Sequence, residues 1–257
     1  MASIRTPPLG RVRDAALTWA EYIARAGRNT SDTRVVAVVG MHRSGTSAVA
    51  GTLQSAGLYL GNVLRKHESN RRGTRENLEI VALHDAILAH SGGSWRNAPP
   101  RVTWTDAHRC ERDRIVAEYG GAGLWGFKDP RTILLLDFWR EALGESLTLV
   151  GVYREPGAVA LSLVRRDGGT PDEWLKLWVQ YNARLLREHE EREFPLVEFV
   201  AQVERFDEQV VPVLRALGLR ARTQSGFFDP ALAAVDEPAR ASADAVALYE
   251  RLCAARG

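Results

Sequence analysis

The chain of 257 residues is poor in cysteine, in lysine and in long apolar runs, and each shortage narrows what it can be. Its two cysteines, Cys110 and Cys253, have neither the spacing of a metal-binding set nor that of a disulfide framework, which favours a reducing compartment. No apolar run approaches the ~20 residues of a membrane-spanning helix. The first thirty residues contain arginines but no unbroken apolar core, so a signal peptide is not expected. We therefore expect a cytoplasmic protein without a membrane span.

The charge balance argues against two classes of partner. The 34 basic and 32 acidic residues give a net charge of +2 at pH 7, too small an excess to favour nucleic acid or an anionic membrane. Only three of the basic residues are lysines, Lys66, Lys128 and Lys176, and the others are arginines. An anionic ligand would therefore have to be attracted by a local arrangement of charge.

The length allows one sizeable hydrophobic core, so we expect an N-terminal helical arm, residues 1–33, followed by one domain, residues 34–257. Apolar residues at helical spacing predict a helix in the arm from roughly Arg11 to Ala26. That helix could pack on the domain or on a second copy of the chain, which leaves a homodimer open.

Four short apolar runs predict strands, and the segments between them predict helices. The strands are expected at Val35–Val39, Leu124–Phe127, Leu147–Tyr153 and about Leu196–Val200. The helices are expected at Thr46–Ala56, at Arg75–Ala89 after Thr74 as N-cap, at Ile133–Leu143, from Pro156, and at Glu173–Glu191, Val203–Leu217 and Ala241–Ala255. Such alternation predicts an α/β fold with a central parallel β-sheet flanked by helices. Ligands bind such sheets at the carboxyl ends of the strands.

A loop bounded by glycines follows the first predicted strand and has the character of a phosphate-binding site. The backbone N–H groups of Gly40 to Ser47, with the N-terminus of the next helix, can surround a phosphate. The spacing nearly fits the G-x-x-x-x-G-K-[ST] loop of nucleoside triphosphatases, but Thr46 stands at the lysine position. ATP hydrolysis would therefore lack its main cation. The cation available inside the loop is Arg43, and Thr46 and Ser47 supply hydroxyl donors.

A second candidate phosphate contact follows the third predicted strand. Arg154 would end that strand, Pro156 suits the first turn of the next helix, and Ser162 lies about two turns along it. An arginine fork matches a phosphate with two parallel hydrogen bonds. A strand-end arginine is commonly only solvated, so this pattern gains its weight from its order and separation relative to the first loop.

The run GMHRSGTSAV, residues 40–49, resembles the 5′-phosphosulfate loop of the sulfotransferase superfamily, particularly bacterial members and those acting on carbohydrates or protein tyrosine. Arg154 with Ser162 is similar to the 3′-phosphate site of those enzymes. The resemblance covers roughly residues 35–165. It implies the P-loop-containing nucleoside triphosphate hydrolase-like (sulfotransferase) fold, with 3′-phosphoadenosine 5′-phosphosulfate (PAPS) as sulfuryl donor. The implied PAPS-binding residues are Gly40, His42, Arg43, Ser44, Gly45, Thr46, Ser47, Arg154 and Ser162.

Two cations are candidates for the chemistry. The run F-K-D-P-R around Lys128 resembles the K-D-P motif of tyrosylprotein sulfotransferases, whose lysine contacts the transferring group. An ammonium there could stabilise charge on the bridging oxygen as the sulfur–oxygen bond breaks, and the resemblance gives Arg43 a role on the phosphosulfate itself. Asp129 is interpreted as a helix N-cap before Pro130.

Glu76 is the favoured general base. On a helical wheel of residues 75–90 it falls at the mouth of the apolar arc, where partial desolvation would improve a carboxylate as a base. Related sulfotransferases often contribute a catalytic glutamate after the first helix. Glu76 could instead complement the helix dipole, and His67 and His84 are rival bases because histidine serves in other branches.

The sequence therefore predicts a PAPS-dependent sulfotransferase that needs no metal and acts on a hydroxyl of a carbohydrate, glycolipid or small metabolite. Two alternatives stay open: a metal-dependent P-loop kinase, and a non-catalytic protein that binds the desulfated nucleotide, PAP, or serves in assembly. The C-terminal G-x-x-G-x-x-K loop of cytosolic sulfotransferases has no counterpart after Gly168. What covers the adenine is therefore open, with Trp174 and Phe227 as aromatic candidates.

Overall fold

The computed structural model describes residues 33–65, 73–221, 227, 228, 230 and 238–256, and the fold is described for these ranges. The helix predicted for the N-terminal arm and the candidate base His67 lie outside the described residues. Both therefore stay predictions.

The four described strands form one parallel sheet at the centre of the molecule. They are β1 (Arg34–Gly40), β2 (Leu124–Lys128), β3 (Leu147–Tyr153) and β4 (Leu196–Glu198), in the spatial order β2-β1-β3-β4. The register pairs Val38 with Lys128, and Gly40 with Val152, so the carboxyl ends of the strands meet along one edge. The predicted parallel sheet is thus confirmed, and the residues that follow each strand are brought together.

Helices cover both faces of the sheet. The α-helices are α1 (Thr46–Ser55), α2 (Leu78–His90), α3 (Asp106–Glu118), α4 (Leu136–Leu143), α5 (Pro156–Asp167), α6 (Pro171–Glu191), α7 (Val203–Ala216) and α8 (Ala243–Arg256), and short 3₁₀ helices span Pro130–Leu134 and Gly144–Ser146. The odd-numbered residues of β1 belong to a core formed mainly with α2, α4, α5, α6 and α8, whereas the even-numbered ones face α1 and α7. Residues Val35 to Val39 are at most 1% exposed, as expected of a strand buried on both faces.

The start of α2 differs from the prediction, and the difference changes the setting of Glu76. Asn77, not Thr74, is the N-cap, and its side chain accepts a hydrogen bond from the backbone N–H of Glu79. Arg75 has a left-handed backbone conformation with φ of 58°, which a helix cannot contain. Glu76 therefore precedes the helix, and the acidic residue of the first turn is Glu79.

Two further helical segments differ from the prediction. Helix α3 was not anticipated because it is polar on most of its surface and buries only Arg112 and Ile115. The helix expected at Ile133–Leu143 is divided into a 3₁₀ turn and α4. The division follows from the N-cap at Asp129 with Pro130 at the first position, which starts the 3₁₀ turn earlier, and from Leu135, whose φ of −125° lies outside the helical range.

Candidate active site

The loop after β1 has a backbone that only glycine allows at two positions. Gly40 and Gly45 have φ values of 146° and 86°, and Arg43 also lies in the left-handed region at 68°. A Cβ on Gly40 would collide with the carbonyl oxygen of Val152, and one on Gly45 would collide with the ring of Phe199. The loop is thus held against β3 and the segment after β4, with its backbone fixed in a tight curve.

The inner side of this loop offers polar groups to a ligand. Helix α1 begins at Thr46 with Gly45 as its N-cap, so no side chain caps its first N–H groups, and its first turn contains no acidic residue. The side chain of Ser44 is fully buried, yet its Oγ has no hydrogen-bond partner in the part of the chain that the structure describes. Uncapped amides at a helix N-terminus and an unpaired buried hydroxyl suit an oxyanion.

Two arginines, Arg43 half-buried and Arg154 buried, connect the loop to the second predicted phosphate contact. Arg43 Nε donates a hydrogen bond to Ser162 Oγ at 2.7 Å, and Arg154 Nη1 donates one to the carbonyl oxygen of Arg43 at 3.2 Å. Burial and then the charge of Arg43 lower the pKa of Arg154 to about 10, and burial followed by the charge of Arg166 lowers the pKa of Arg43. Like charges held in a desolvated place would be stabilised by a bound anion.

Lys128, at the end of β2, forms an ion pair with Glu76. Lys128 Nζ donates to Glu76 Oε1 at 2.6 Å, and the two side chains are 2% and 16% exposed. Two backbone hydrogen bonds fix the segment that contains Glu76. The N–H of Leu64 donates to the carbonyl oxygen of Glu76 at 2.9 Å, and the N–H of Arg75 donates to the carbonyl oxygen of Leu64 at 3.1 Å. Glu76, the favoured base, and Lys128, the candidate cation, are thus paired with each other at the carboxyl edge of the sheet.

Asp129 organises a buried network beside that ion pair. Its carboxylate accepts hydrogen bonds from the N–H and Nη1 of Arg131, both at 2.9 Å, which confirms the predicted N-cap. Burial alone would raise the pKa of Asp129, but the hydrogen bond from His84 and the nearby charges outweigh it and hold the pKa well below its ordinary value. Asp129 is therefore ionised and structural.

His84 is poorly placed to act as a base. It is fully buried, with Nδ1 3.1 Å from Asp129 Oδ2 and Nε2 2.8 Å from Trp139 Nε1. An indole N–H can only donate, so Nε2 of His84 must accept and Nδ1 must carry the proton towards Asp129. Both nitrogens are engaged, which favours Glu76 over His84.

The side chain of His42, in the loop after β1, packs against the loop after α2. It is 8% exposed, and its ring centroid lies 4.2 Å from that of Trp95, in the loop after α2. Burial and then the charge of Arg131 lower the pKa of His42 well below its ordinary value, so the imidazole is neutral at pH 7. Its Nε2 is buried without a hydrogen-bond partner among the described residues.

The two aromatic candidates for covering the adenine lie apart. Phe227 packs on α1 so closely at Gly51 that a Cβ there would collide with its ring, and the guanidinium of Arg75 lies 4.4 Å from the ring centroid. Trp174 lies on α6 and donates to the carbonyl oxygen of Gly168 at 2.8 Å. Phe227 is the one of the two beside α1, the helix after the Gly40–Ser47 loop, and its role in covering the adenine stays a prediction.

The sequence patterns did not indicate that the loop after α2, or Arg166 on α5, lies beside the loop after β1. The spacing from Ser162 to Arg166 is four residues, one helical turn, and could have indicated that both face the first loop. Trp95 carried no local signal because its position depends on a long loop. In the described ranges, no group of three or more histidine, cysteine, aspartate or glutamate side chains could hold a metal ion, and no helix is long and apolar enough to cross a membrane.

Comparison with solved structures identifies the fold. The sulfotransferase domain from the Synechococcus PCC 7002 olefin synthase is similar to this chain with a TM-score of 0.56, over 88% of this chain and 96% of that domain, at 17% sequence identity. At that identity the likeness establishes the fold alone, which is the predicted α/β sulfotransferase-type fold. No family model matches the chain, and no curated protein is significantly similar to it in sequence.

Proposed function

We propose that this protein is a sulfotransferase that moves the sulfuryl group of PAPS to an acceptor hydroxyl and releases PAP. The observation that carries the proposal is the hydrogen bond of 2.7 Å between Arg43 and Ser162. It joins the two phosphate contacts predicted separately from the sequence, which lie 119 residues apart in the chain. A nucleotide with a 5′-phosphosulfate and a 3′-phosphate requires both contacts at one place.

The nucleotide would be held by the loop amides, the helix N-terminus and the buried cations. The loop with Thr46 and Ser47 binds the phosphosulfate, and Arg154 with Ser162 binds the 3′-phosphate. Thr46 stands where a nucleoside triphosphatase has its lysine, which speaks against the kinase alternative. Arg43 and Lys128 provide positive charge from the protein's own side chains at the transferring group.

In the transfer step, the acceptor oxygen attacks sulfur while the bond between sulfur and the bridging oxygen of the nucleotide breaks. The acceptor proton moves to Glu76, and the bonding electron pair leaves with the phosphate oxygen of PAP. Proton transfer neutralises the carboxylate that holds Lys128 at 2.6 Å. The ammonium is then available to stabilise the charge on the leaving oxygen, which couples the two halves of the step.

Calorimetry with PAP, ADP and ATP, each with and without Mg²⁺, tests the nucleotide. We expect PAP to bind more tightly than ADP by about tenfold or more, without metal. Equal affinity for PAP and ADP would contradict the proposal, and turnover of ATP with Mg²⁺ would favour the kinase. Tight PAP binding without PAPS turnover on any carbohydrate, glycolipid or small hydroxyl compound would favour the non-catalytic alternative.

A further inference from the structure

Besides the cations of the proposed nucleotide site, a second group of cations lies beside the Gly40–Ser47 loop. Ser162 and Arg166 are one turn apart on α5 and therefore share a face. Ser162 accepts the hydrogen bond from Arg43. Burial is the main cause that lowers the pKa of Arg43 and the pKa of His42, and the charge of Arg166 lowers both further. Arg166 thus lies next to the loop but one turn beyond the residue that meets Arg43.

Two indoles hold Arg166 and Arg96 in place. The guanidinium of Arg96 lies 5.0 Å from the ring centroid of Trp95 and 5.1 Å from that of Trp174, and the guanidinium of Arg166 lies 5.6 Å from Trp95. The two indoles are nearly parallel, 13° apart, with centroids separated by 6.1 Å. The Tyr181 hydroxyl donates to the carbonyl oxygen of Trp95 at 2.9 Å, which anchors the loop. The arginines are therefore oriented before any ligand binds.

These two arginines share one carboxylate. In the described structure, the ion-pair partner of both Arg96 and Arg166 is Asp167, at 3.3 and 2.7 Å. One positive charge in this group is therefore not balanced by a paired carboxylate. The side chain of Arg96 is 48% exposed, so a molecule approaching from solvent can reach it.

The neutral imidazole of His42 completes the arrangement. Its ring packs against Trp95, the same indole that both arginines contact, and its buried Nε2 has no hydrogen-bond partner among the described residues. A polar atom so placed is costly unless a ligand pairs with it. A hydroxyl group suits a neutral imidazole nitrogen, since it can donate or accept. Next to it, an oxyanion suits a pair of guanidinium groups.

We propose that Arg96 and Arg166 bind an oxyanion on the acceptor while His42 Nε2 hydrogen-bonds one of its hydroxyl groups. The acceptor is then a hydroxyl compound that carries an acidic substituent, rather than a neutral sugar or lipid. This inference rests on the proposed function, because it assumes that PAPS occupies the Gly40–Ser47 loop and that the acceptor approaches from the Trp95 side.

The test is calorimetry on the full chain loaded with PAP, using matched acidic and neutral probes. The pairs are glucuronate with glucuronamide, 4-hydroxyphenylacetate with its amide, and glucose 6-phosphate with glucose, which separate carboxylate from phosphate recognition. We expect at least one acid to bind about tenfold or more tightly than its neutral partner. Arg96→Gln or Arg166→Gln should abolish that preference, whereas Arg101→Gln, at an exposed position five residues further along the loop, should retain it.

Three outcomes would overturn the inference: equal binding within every pair, no binding of any acid at about 10 mM, or a preference that survives both arginine substitutions. PAP binding by the wild-type protein separates this failure from that of the proposed function. If PAP does not bind, the sulfotransferase proposal fails first. If PAP binds and the acids show no preference, only the inference about the acceptor fails. Unchanged PAP affinity in Arg96→Gln shows that the variant is folded.

Discussion

The two sides of the candidate site are built in different ways. The proposed phosphate side consists of the ends of β1 and β3 and the loop to α1, where the backbone is constrained by Gly40 and Gly45 and where Arg154 is only 4% exposed. The proposed acceptor side consists of the long loop after α2 and one turn of α5, and its Arg96 is 48% exposed. The first depends on backbone geometry and buried charge, and the second on the stacking of side chains.

This difference implies that the two sides tolerate amino-acid substitutions to different degrees. A side chain at Gly40 or Gly45 would collide with Val152 or Phe199, and truncation of Arg154 would remove a buried charge. Substitutions on the acceptor side remove stacking and partly screened charge, which costs less stability and changes selectivity instead.

The largest expected effect is at Glu76, the proposed base beside Lys128. Glu76→Gln keeps the size of the side chain but removes the proton acceptor, so we expect kcat to fall by about 10²–10⁴-fold while PAP affinity stays within about twofold. The measurement is the initial rate of PAP release with a saturating acceptor. Glu79→Gln is the matched control, because Glu79 is exposed and pairs with Arg114 on the surface. An unchanged kcat in Glu76→Gln would show that another group takes the proton.

The next effect compares a glycine from each side. Gly40→Ala forces a Cβ against the backbone of β3 at φ of 146°, whereas Gly92→Ala, in the loop after α2, places a Cβ in open space at φ of 77°. We expect Gly40→Ala to lower the free energy of unfolding by about 3 kcal/mol or more and Gly92→Ala by about 1 kcal/mol. Urea denaturation measures both. Equal losses would mean that the acceptor side is as constrained as the phosphate side.

A smaller effect separates the two sides by binding alone. Arg154→Ala removes a buried guanidinium from the proposed 3′-phosphate contact, so PAP affinity should fall by about 10- to 100-fold. Arg96→Ala should leave PAP affinity within about twofold, because Arg96 belongs to the acceptor side. Calorimetry with PAP distinguishes them. A loss of PAP affinity in Arg96→Ala would show that Arg96 contributes to nucleotide binding and that the two sides are not separate.

The sequence predicted the features that have local signals and did not predict those that depend on contacts between distant residues. The strands, the parallel sheet and the phosphate loop were predicted because apolar runs and glycine spacing are local signals. The start of α2 was predicted wrongly, since nothing local indicates that Arg75 adopts a left-handed conformation. Helix α3 was missed because its polar surface weakens the periodic signal, and the stacking around Trp95 was missed because it depends on contacts distant in sequence, such as that with Tyr181.

The smallest effect concerns His42, which touches both sides. Its pKa is lowered in the folded protein, so the folded state binds a proton less readily than the unfolded state, and stability is lost as the pH falls through the unfolded pKa of about 6.5. From pH 7 to pH 5 the wild-type protein should lose up to about 2 kcal/mol more stability than His42→Gln. Urea denaturation at both pH values measures this difference. If His42→Gln keeps the full pH dependence, the imidazole is not held neutral, and a hydrogen bond from its Nε2 to an acceptor hydroxyl loses its physical basis.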